Sequence, residues 1–531
     1  MIRLTRREFL LATAALAAGC SPAATPGPAP AEGTPRRGGV LTVWIRGDPP
    51  TLDVHQGSID SILHPLAPCF DLLVQFDPQD PDRIMPDLAE SWEVSPDGKV
   101  YTFHLKGGVK FHHGKPFKAE DVKASFERII WPPKGIVSPR RGAFGAVEGI
   151  EVVDEYTVRF VLNRPNPSLL ANIAQGWNVI YPRDLLETKV DMSKDVVGTG
   201  PFKFKEYIRG VSIELERNPE YHVPGRPYLD GVKFFIVPDP NTAFSAFISG
   251  QLLMYRLRNP AEVAEARRVL GDRVVVQEGV TLAKAVFRMN ATHRPWDDPR
   301  VRQAVSMAID RPAAVRVLYQ GAGQMGGILM PGGRWALPKE ELEKIPGYGP
   351  DKARELEAAR RLLWEAGVPE GFKTRMLAVK GAAFEPIAVF MKDQLAKVGI
   401  QADLEVVESA VAYDRLNRRD YDTMAWGLSM AIDDPDAIFG ENYTCDAPRN
   451  YTGVCSPEVD RLYLEQSQTL DPARRKALVH ELERAALNAN IKAVLCWLND
   501  FLVHWRQVRG YRRHPSLYTN QKLRDVWLAE G

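Results

Sequence analysis

The sequence predicts a mixed α/β protein built from several packed units. Strand-like and helix-like runs alternate along nearly the whole chain, which is the pattern of an α/β or α+β architecture. The composition, 45% hydrophobic and 25% charged over 531 residues, is that of a globular chain and too polar for a polytopic membrane protein. At roughly 100 to 200 residues per domain, this length implies about two to four domains and excludes a single small one.

The elements can be justified in order. Val40 to Trp44 is short, apolar and β-rich, as a first strand should be. Trp92-Glu93-Val94, the turn Ser95-Pro96-Asp97-Gly98 and Tyr101-Thr102-Phe103-His104-Leu105 read as a hairpin, because Asp-Gly sits between two alternating runs. A second turn at Gly107-Gly108 leads to Val109, Lys110 and Phe111, after which Val122, Phe126 and Ile129 recur at helical spacing. Asp298-Pro299 and Asp471-Pro472 each offer an N-cap followed by a proline at the first helical position. Residues 351–366 carry Leu356, Ala359, Leu362, Leu363 and Ala366 on one face, and Gly367 supplies the stop.

Charge and termini narrow the function. Lys and Arg number 68 against 67 Asp and Glu, with no long basic tract, so nucleic acid is excluded as a partner. Residues 9–19 form a short apolar run behind Arg3, Arg6 and Arg7, too short to span a bilayer that needs about 20 apolar residues. This predicts a signal peptide over 1–19. Thr5-Arg6-Arg7-Glu8-Phe9-Leu10 resembles the twin-arginine signal, with general secretion as the alternative route. Leu16-Ala17-Ala18-Gly19-Cys20 resembles the lipobox of bacterial lipoproteins, with Ala17 standing where Leu is usual. An ordinary cleaved signal peptide is the alternative reading. Loss of 1–19 removes three Arg and one Glu, turning a formal charge of +1 into −1. Attachment to a membrane would therefore rest on an acyl chain at Cys20, not on attraction to anionic lipid. Residues 20–37, rich in Pro, Ala and Gly, are expected to be a flexible tether.

Cys69 and Cys496 lie in apolar settings and are expected to be buried thiols. Cys445 and Cys455 lie in the polar, turn-rich segment 443–457 of an exported chain and are expected to form a disulfide. Catalytic and cofactor motifs are missing: the sequence has no phosphate loop, no H-E-x-x-H and no G-x-S-x-G elbow. Gly198-Thr199-Gly200 lacks a third glycine and runs into Pro201. His104, His112 and His113 would be spread over two strand faces and a loop, so ordinary hairpin surface is expected there in place of a metal. Asp433, Asp434 and Asp436 flank a proline and read as helix caps and turn formers before a general acid/base pair or calcium site. No metal, cofactor or catalytic residue is expected.

Residues 86–128 read PDLAESWEVSPDGKVYTFHLKGGVKFHHGKPFKAEDVKASFER. VGTGPFKF follows at 197–204, NPEY at 218–221, PWDDPRVRQAVSMAIDR at 295–311, LLWEAG at 362–367, DDPD at 433–436 and NYTGVCSPEVD at 450–460. In this order the blocks closely resemble the solute-binding proteins of ABC importers in the peptide/nickel class, bacterial extracellular family 5. The resemblance implies a two-lobed, periplasmic-binding-protein-like α/β fold of class II type, closing over a solute. Lobe 1 would comprise 38–85, 199–287 and 500–531, with an extra subdomain at 86–198, and lobe 2 would be 288–499. Crossings near Phe287 and Leu502 would form the hinge.

The resemblance also implies a site. In peptide-binding members an Asp three residues after a Trp holds the ligand ammonium. Here Trp426 fits the Trp, Ser429 stands in the place of the Asp, and Asp433 and Asp434 come later. Trp426 and Trp177 would offer walls, and Arg141, after Arg140, would meet a carboxylate. The implied partners are a peptide or other small solute and the permease subunits of an ABC importer. The chain would be a monomer outside the cytoplasmic membrane. A secreted enzyme or a periplasmic chaperone-like protein on the same scaffold is the alternative.

Overall fold

The computed structural model describes residues 33–530, apart from 189–190, 382–383 and 520. The expected signal peptide, Cys20 and most of the tether lie outside the described residues.

The fold is mixed α/β and two-lobed, and one sheet joins its lobes. That sheet has eleven strands, and ten of them lie in the order 400–407, 372–379, 423–429, 274–289, 493–505, 254–257, 40–45, 231–236, 212–217 and 202–208. Strand Val40–Ile45 pairs in parallel with Gly231–Ile236 in the first lobe, and Phe372–Val379 pairs in parallel with Ile400–Val407 in the second. Two long strands, Val274–Met289 and Ala493–Trp505, run antiparallel to each other from one lobe into the other. Their ladder is regular from Val274↔Trp505 to Val280↔Asn499, lapses, and resumes at Lys284↔Trp497.

Phe287 and Leu502, expected near the crossings, lie in paired, buried stretches of these two strands. The lapse falls at Val280 to Lys284, where ladder bonds are missing and bending costs least. Arg513 braces it, donating to the Val280 carbonyl at 3.0 Å and to Asp500 at 2.8 Å, and the Thr281 hydroxyl donates to the Leu498 carbonyl at 3.0 Å.

Each part has its own apolar core. Leu41, Phe202, Ile213, Phe234 and Trp177 pack on one face of the first lobe's half of the sheet, with Phe247, Tyr255 and Phe501 on the other. Phe287, Trp296, Val305 and Met391 cover one face in the second lobe, and Val286, Phe439, Val479 and Trp497 the other.

The hairpin read from the sequence is present as Ala89–Val94 and Val100–Leu105, with Gly98 at φ 68° in its turn. It belongs to a four-stranded antiparallel sheet completed by Thr157–Leu162 and Val147–Asp154. Helix Ala119–Ile130 packs on this sheet, and Phe126 meets Phe160 edge-on at 5.1 Å between ring centres.

Local signals placed the helix ends. Asp298 caps Pro299–Ala308 through the Arg300 amide, and Asp471 caps Pro472–Asn488 through the Arg474 amide. Helix Lys352–Glu365 ends two residues before Gly367, which adopts φ 74°, a left-handed conformation favourable only to glycine. Gly198 and Gly200 serve packing, since a Cβ on Gly198 would lie 2.2 Å from the Cys69 carbonyl oxygen and one on Gly200 2.4 Å from the Phe70 amide.

Candidate functional site

The junction between the lobes is built from residues far apart in the chain. On one side Ser168 of the first lobe donates to Asp434 of the second at 2.6 Å and accepts from Arg475 at 2.7 Å. In the middle the Ser516 hydroxyl donates to the Ala431 carbonyl at 2.6 Å, and the Leu282 amide to the Pro515 carbonyl at 3.2 Å. Burial, then Asp60, then Tyr413 raise the pKa of Tyr518.

Aromatic rings pack against one another within each lobe. Trp177 packs against Tyr518 with centroids 5.4 Å apart, and Trp426 against Tyr413 at 4.6 Å and Phe384 at 6.0 Å. Trp177 is buried in the first-lobe core, with the Arg140 guanidinium over its ring at 5.1 Å. Arg140 is the anchored member of its pair, donating to the Gly57 carbonyl at 2.7 Å and to that of His55. Arg141 opens the short turn Arg141–Phe144 with its side chain exposed.

The carboxylates near Trp426 have separate tasks. Ser429 is exposed at the end of strand Thr423–Ser429, opposite Ala283 and beside the strand crossing. Asp434 is spent: it caps helix Pro435–Asn442, pairs with Arg475 at 3.2 Å and accepts from Ser168. This leaves its oxygens little capacity for a solute ammonium. Asp436 accepts from Gln466 at 2.5 Å, and burial, reinforced by Asp434, pushes its carboxyl up to about 6.

Asp433 differs, because both its oxygens are buried with no hydrogen-bond partner. It faces a cavity of about 50 Å³ between the lobes, lined also by Phe76, Asp82, Trp335 and His514. Burial, then Asp82, then Asp434 push its carboxyl up to about 7. A larger cavity of about 240 Å³, lined by Phe70, Gln75, Tyr518 and Lys522, lies within first-lobe segments.

The histidines are spread out. His104 lies 3.8 Å from Glu93, His112 bonds the Gly200 carbonyl at 3.0 Å, and His113 is 3.8 Å from Asp184. Cys445 and Cys455 are disulfide-bonded with Cα atoms 4.5 Å apart, while Cys69 and Cys496 are buried thiols. Among the described residues one group has metal-like spacing, Cys445, Cys455 and Asp460, and its sulfurs are already bonded to each other. No helix among the described residues is long and apolar enough to cross a membrane.

Sequence reasoning passed over one residue beside Trp426. Arg288 lies on the neighbouring strand, opposite Met424 in a register that sets Val286 opposite Trp426. Its signal was present: Lys284 and Arg288 share one face of the apolar run 283–289.

The comparisons agree with this architecture. Residues 83–450 match the model of the bacterial extracellular solute-binding proteins, family 5 Middle. The chain is similar to di/tripeptide-binding protein 1 of Pseudomonas aeruginosa (strain UCBPP-PA14), 32% identical over 442 residues that cover 78% of this chain and 80% of that protein. Among solved structures it is similar to the ABC transporter-associated periplasmic binding protein DppA from Helicobacter pylori in complex with peptide STSA. That likeness has a TM-score of 0.79 at 28% identity and covers 93% of this chain and 99% of the other. It is also similar to AgaA from A. tumefacien R10 in complex with agropinic acid, with a TM-score of 0.77 at 27% identity, covering 93% and 99%. With two lobes on one sheet and a family match over residues 83–450, the chain belongs to the bacterial extracellular solute-binding proteins of family 5.

Proposed function

We propose that the protein captures a small solute, a peptide or peptide-like molecule, between its lobes and delivers it to an ABC import permease. In this reading, segments 38–85, 199–287 and 500–531 form the first lobe, 86–198 its added subdomain and 288–499 the second lobe. Trp426, Ser429, Tyr413 and Phe384 face Trp177, Tyr518 and Arg141 across the bound solute. The protein works outside the cytoplasmic membrane, reached by a twin-arginine or general secretory signal and held there by a lipid on Cys20.

The observation that carries the reading is the junction of two lobes on one sheet, where Ser168 and Ser516 reach across to Asp434 and to the Ala431 carbonyl. A solute contacting both lobes favours the closed form by the difference in its affinity for the closed and open forms. The strand crossing at Val280 to Lys284 offers the bend.

The test is a titration with a di- and tripeptide panel followed by tryptophan fluorescence, with native mass spectrometry of protein from its own host to find a carried molecule. Saturable quenching with the solute recovered intact supports capture. Turnover of the solute, or no response to any peptide and no carried molecule, would defeat it.

A further inference from the structure

The segment that carries Asp433 is itself part of the contact between the lobes. Two residues before it, the Ala431 carbonyl accepts from Ser516 of the first lobe at 2.6 Å, and the residue after it, Asp434, accepts from Ser168 of the first lobe at 2.6 Å. The cavity of about 50 Å³ that Asp433 lines is walled by Phe76, Asp82 and His514 from the first lobe and by Met330, Arg334 and Trp335 from the second. On its other side Gly333 lies so close that a Cβ there would stand 2.6 Å from Asp433 Oδ2. The carboxyl is thus held between a loop of its own lobe and the facing lobe. Among the described residues it is the one carboxyl with both oxygens buried and without a hydrogen-bond partner.

The charged groups around it do not supply a partner. Arg475 is engaged by Asp434 and Ser168, and Arg334 is exposed, with its guanidinium 4.4 Å from the centre of the Trp335 ring. The Lys284 ammonium donates to the Ile328 carbonyl and lies 4.4 Å from the centre of the Trp497 ring. Burial pulls that ammonium down to about 7, but Lys284 is not on the cavity wall, so its titration does not follow the lobes. Glu483 accepts the Leu329 and Leu337 amides at 2.9 and 3.0 Å and adds negative charge behind the cavity. The His514 Nδ1 accepts the Ser516 amide at 3.0 Å, and burial lowers this ring to about 4, which keeps it neutral. Asp82 is a second carboxylate on the same wall.

A carboxylate sealed away from water with neither a cation nor a donor takes up a proton instead. Parting the lobes withdraws Phe76, Asp82 and His514 and opens the cavity to water, where a carboxylate ionises near its ordinary value of about 4. We infer that closure of the lobes takes up one proton at Asp433, so that solute capture is strong in acid and weakens as this carboxyl ionises. The inference rests on the capture reading above and adds a regulation to it. The proton comes from bulk water and returns there when the lobes open. The sign is fixed by the cavity: the closed form holds the proton up to about pH 7 and the open form releases it, so rising pH favours opening.

The experiment titrates the wild type, Asp433→Asn and Asp82→Asn with Ala-Phe by calorimetry, in phosphate and in imidazole buffers. Wild-type affinity should fall at least about tenfold from about pH 5.5 to about 7.5, and binding at about pH 6 should take up close to one proton, read from the difference in heat between the buffers. Asp433→Asn should bind with an affinity that does not change with pH and should take up no proton. Asp82→Asn should keep the uptake with its midpoint moved to lower pH, because the facing carboxylate is gone. Small-angle scattering of the ligand-free proteins adds a reading that needs no solute: the wild type should be more compact at the acid pH, and Asp433→Asn equally compact at both. If Ala-Phe binds at neither pH, the peptide reading fails for this probe and the scattering alone decides the proton linkage. The inference is overturned if wild-type binding neither changes with pH nor takes up a proton, if Asp433→Asn repeats the wild-type behaviour, or if Asp82→Asn leaves the midpoint in place. With no peptide bound, a wild-type size that does not change with pH overturns it too.

Discussion

Ser168 and Asp434 stand 266 positions apart in the chain, yet the hydroxyl of the first donates to the carboxylate of the second at 2.6 Å across the lobe junction. Arg475 completes the contact from the second lobe by donating to the same hydroxyl. The Arg475–Asp434 pair can persist when the lobes part, whereas the Ser168 bonds cannot.

Ser168→Ala should therefore act on closure more than on folding. A hydrogen bond to a charged group contributes about 1.5 to 3 kcal/mol, and part of that returns as water solvates the freed groups. We expect affinity for any captured solute to fall about fivefold to tenfold, with a larger radius of gyration in the presence of solute. Titration calorimetry and small-angle scattering check it, and an unchanged affinity would count against the contact.

The Asp433 carboxyl lies above its ordinary range, at about 7, for the reasons given with the cavity. The folded state therefore holds its proton more tightly than the unfolded chain does. Its contribution to stability is fully present below the unfolded value near 4 and is lost as pH rises to about 7. Asp433→Asn, which mimics the protonated form, should melt like the wild type at pH 4 and progressively higher than it toward pH 8. Parallel melting curves for the two proteins across that range would contradict the assignment.

At the end of its strand Ser429 presents a hydroxyl to the lobe junction, and one neutral hydrogen bond cannot replace a carboxylate opposite a buried ammonium. N-acetylation of a dipeptide should then change its affinity less than about threefold. A loss above about tenfold on acetylation, removed by Asp433→Asn, would instead locate the ammonium at Asp433. Calorimetry with paired free and acetylated peptides separates the outcomes.

The Cys445–Cys455 bridge closes a loop of sequence separation 10 after helix Pro435–Asn442. A loop this short stabilises by about 2 to 3 kcal/mol in the chain-entropy account. Replacing both cysteines with alanine should lower the denaturant midpoint without changing its slope. Alkylation of the denatured, unreduced protein should label Cys69 and Cys496 but neither member of the pair.

The lipid assignment is tested at Cys20. Cys20→Ala should shift the protein from the membrane fraction to the soluble extracytoplasmic fraction, since an acyl chain is the proposed attachment. Unchanged membrane association on fractionation would refute it.

Features written in a few adjacent residues were legible in the sequence. The Asp-Pro starts at Asp298 and Asp471, the Asp97-Gly98 turn and the Gly367 stop each depend on local dihedral and capping preferences, and each stands in the structure. The lapse in the ladder at Val280 to Lys284 was not legible, because apolar runs mark where a strand is buried and not where its pairing breaks. A bend falls where pairing lapses, and pairing depends on a partner strand more than two hundred residues away. Trp426 was legible as a large aromatic beside Tyr421 and Met424, with which it shares a buried cluster. The engagement of Asp434 by Arg475 and Ser168 was not, because no local rule relates positions 168, 434 and 475. Arg288 left a trace, a second cation on one face of an apolar strand, but its lack of a partner is a property of the folded surroundings.

The shared sheet also bears on how the molecule comes apart. Val274–Met289 and Ala493–Trp505 belong to both cores, so neither lobe can lose its structure without stripping ladder bonds from the other. Calorimetric unfolding should then be one cooperative transition, with equal van't Hoff and calorimetric enthalpies, although the molecule has two lobes. By the same logic, a fragment cut at residue 282 or 498 leaves two severed strand ends with unpaired backbone and exposed apolar faces. Such a half-molecule should aggregate when expressed alone, and mixing the two halves should recover the fold.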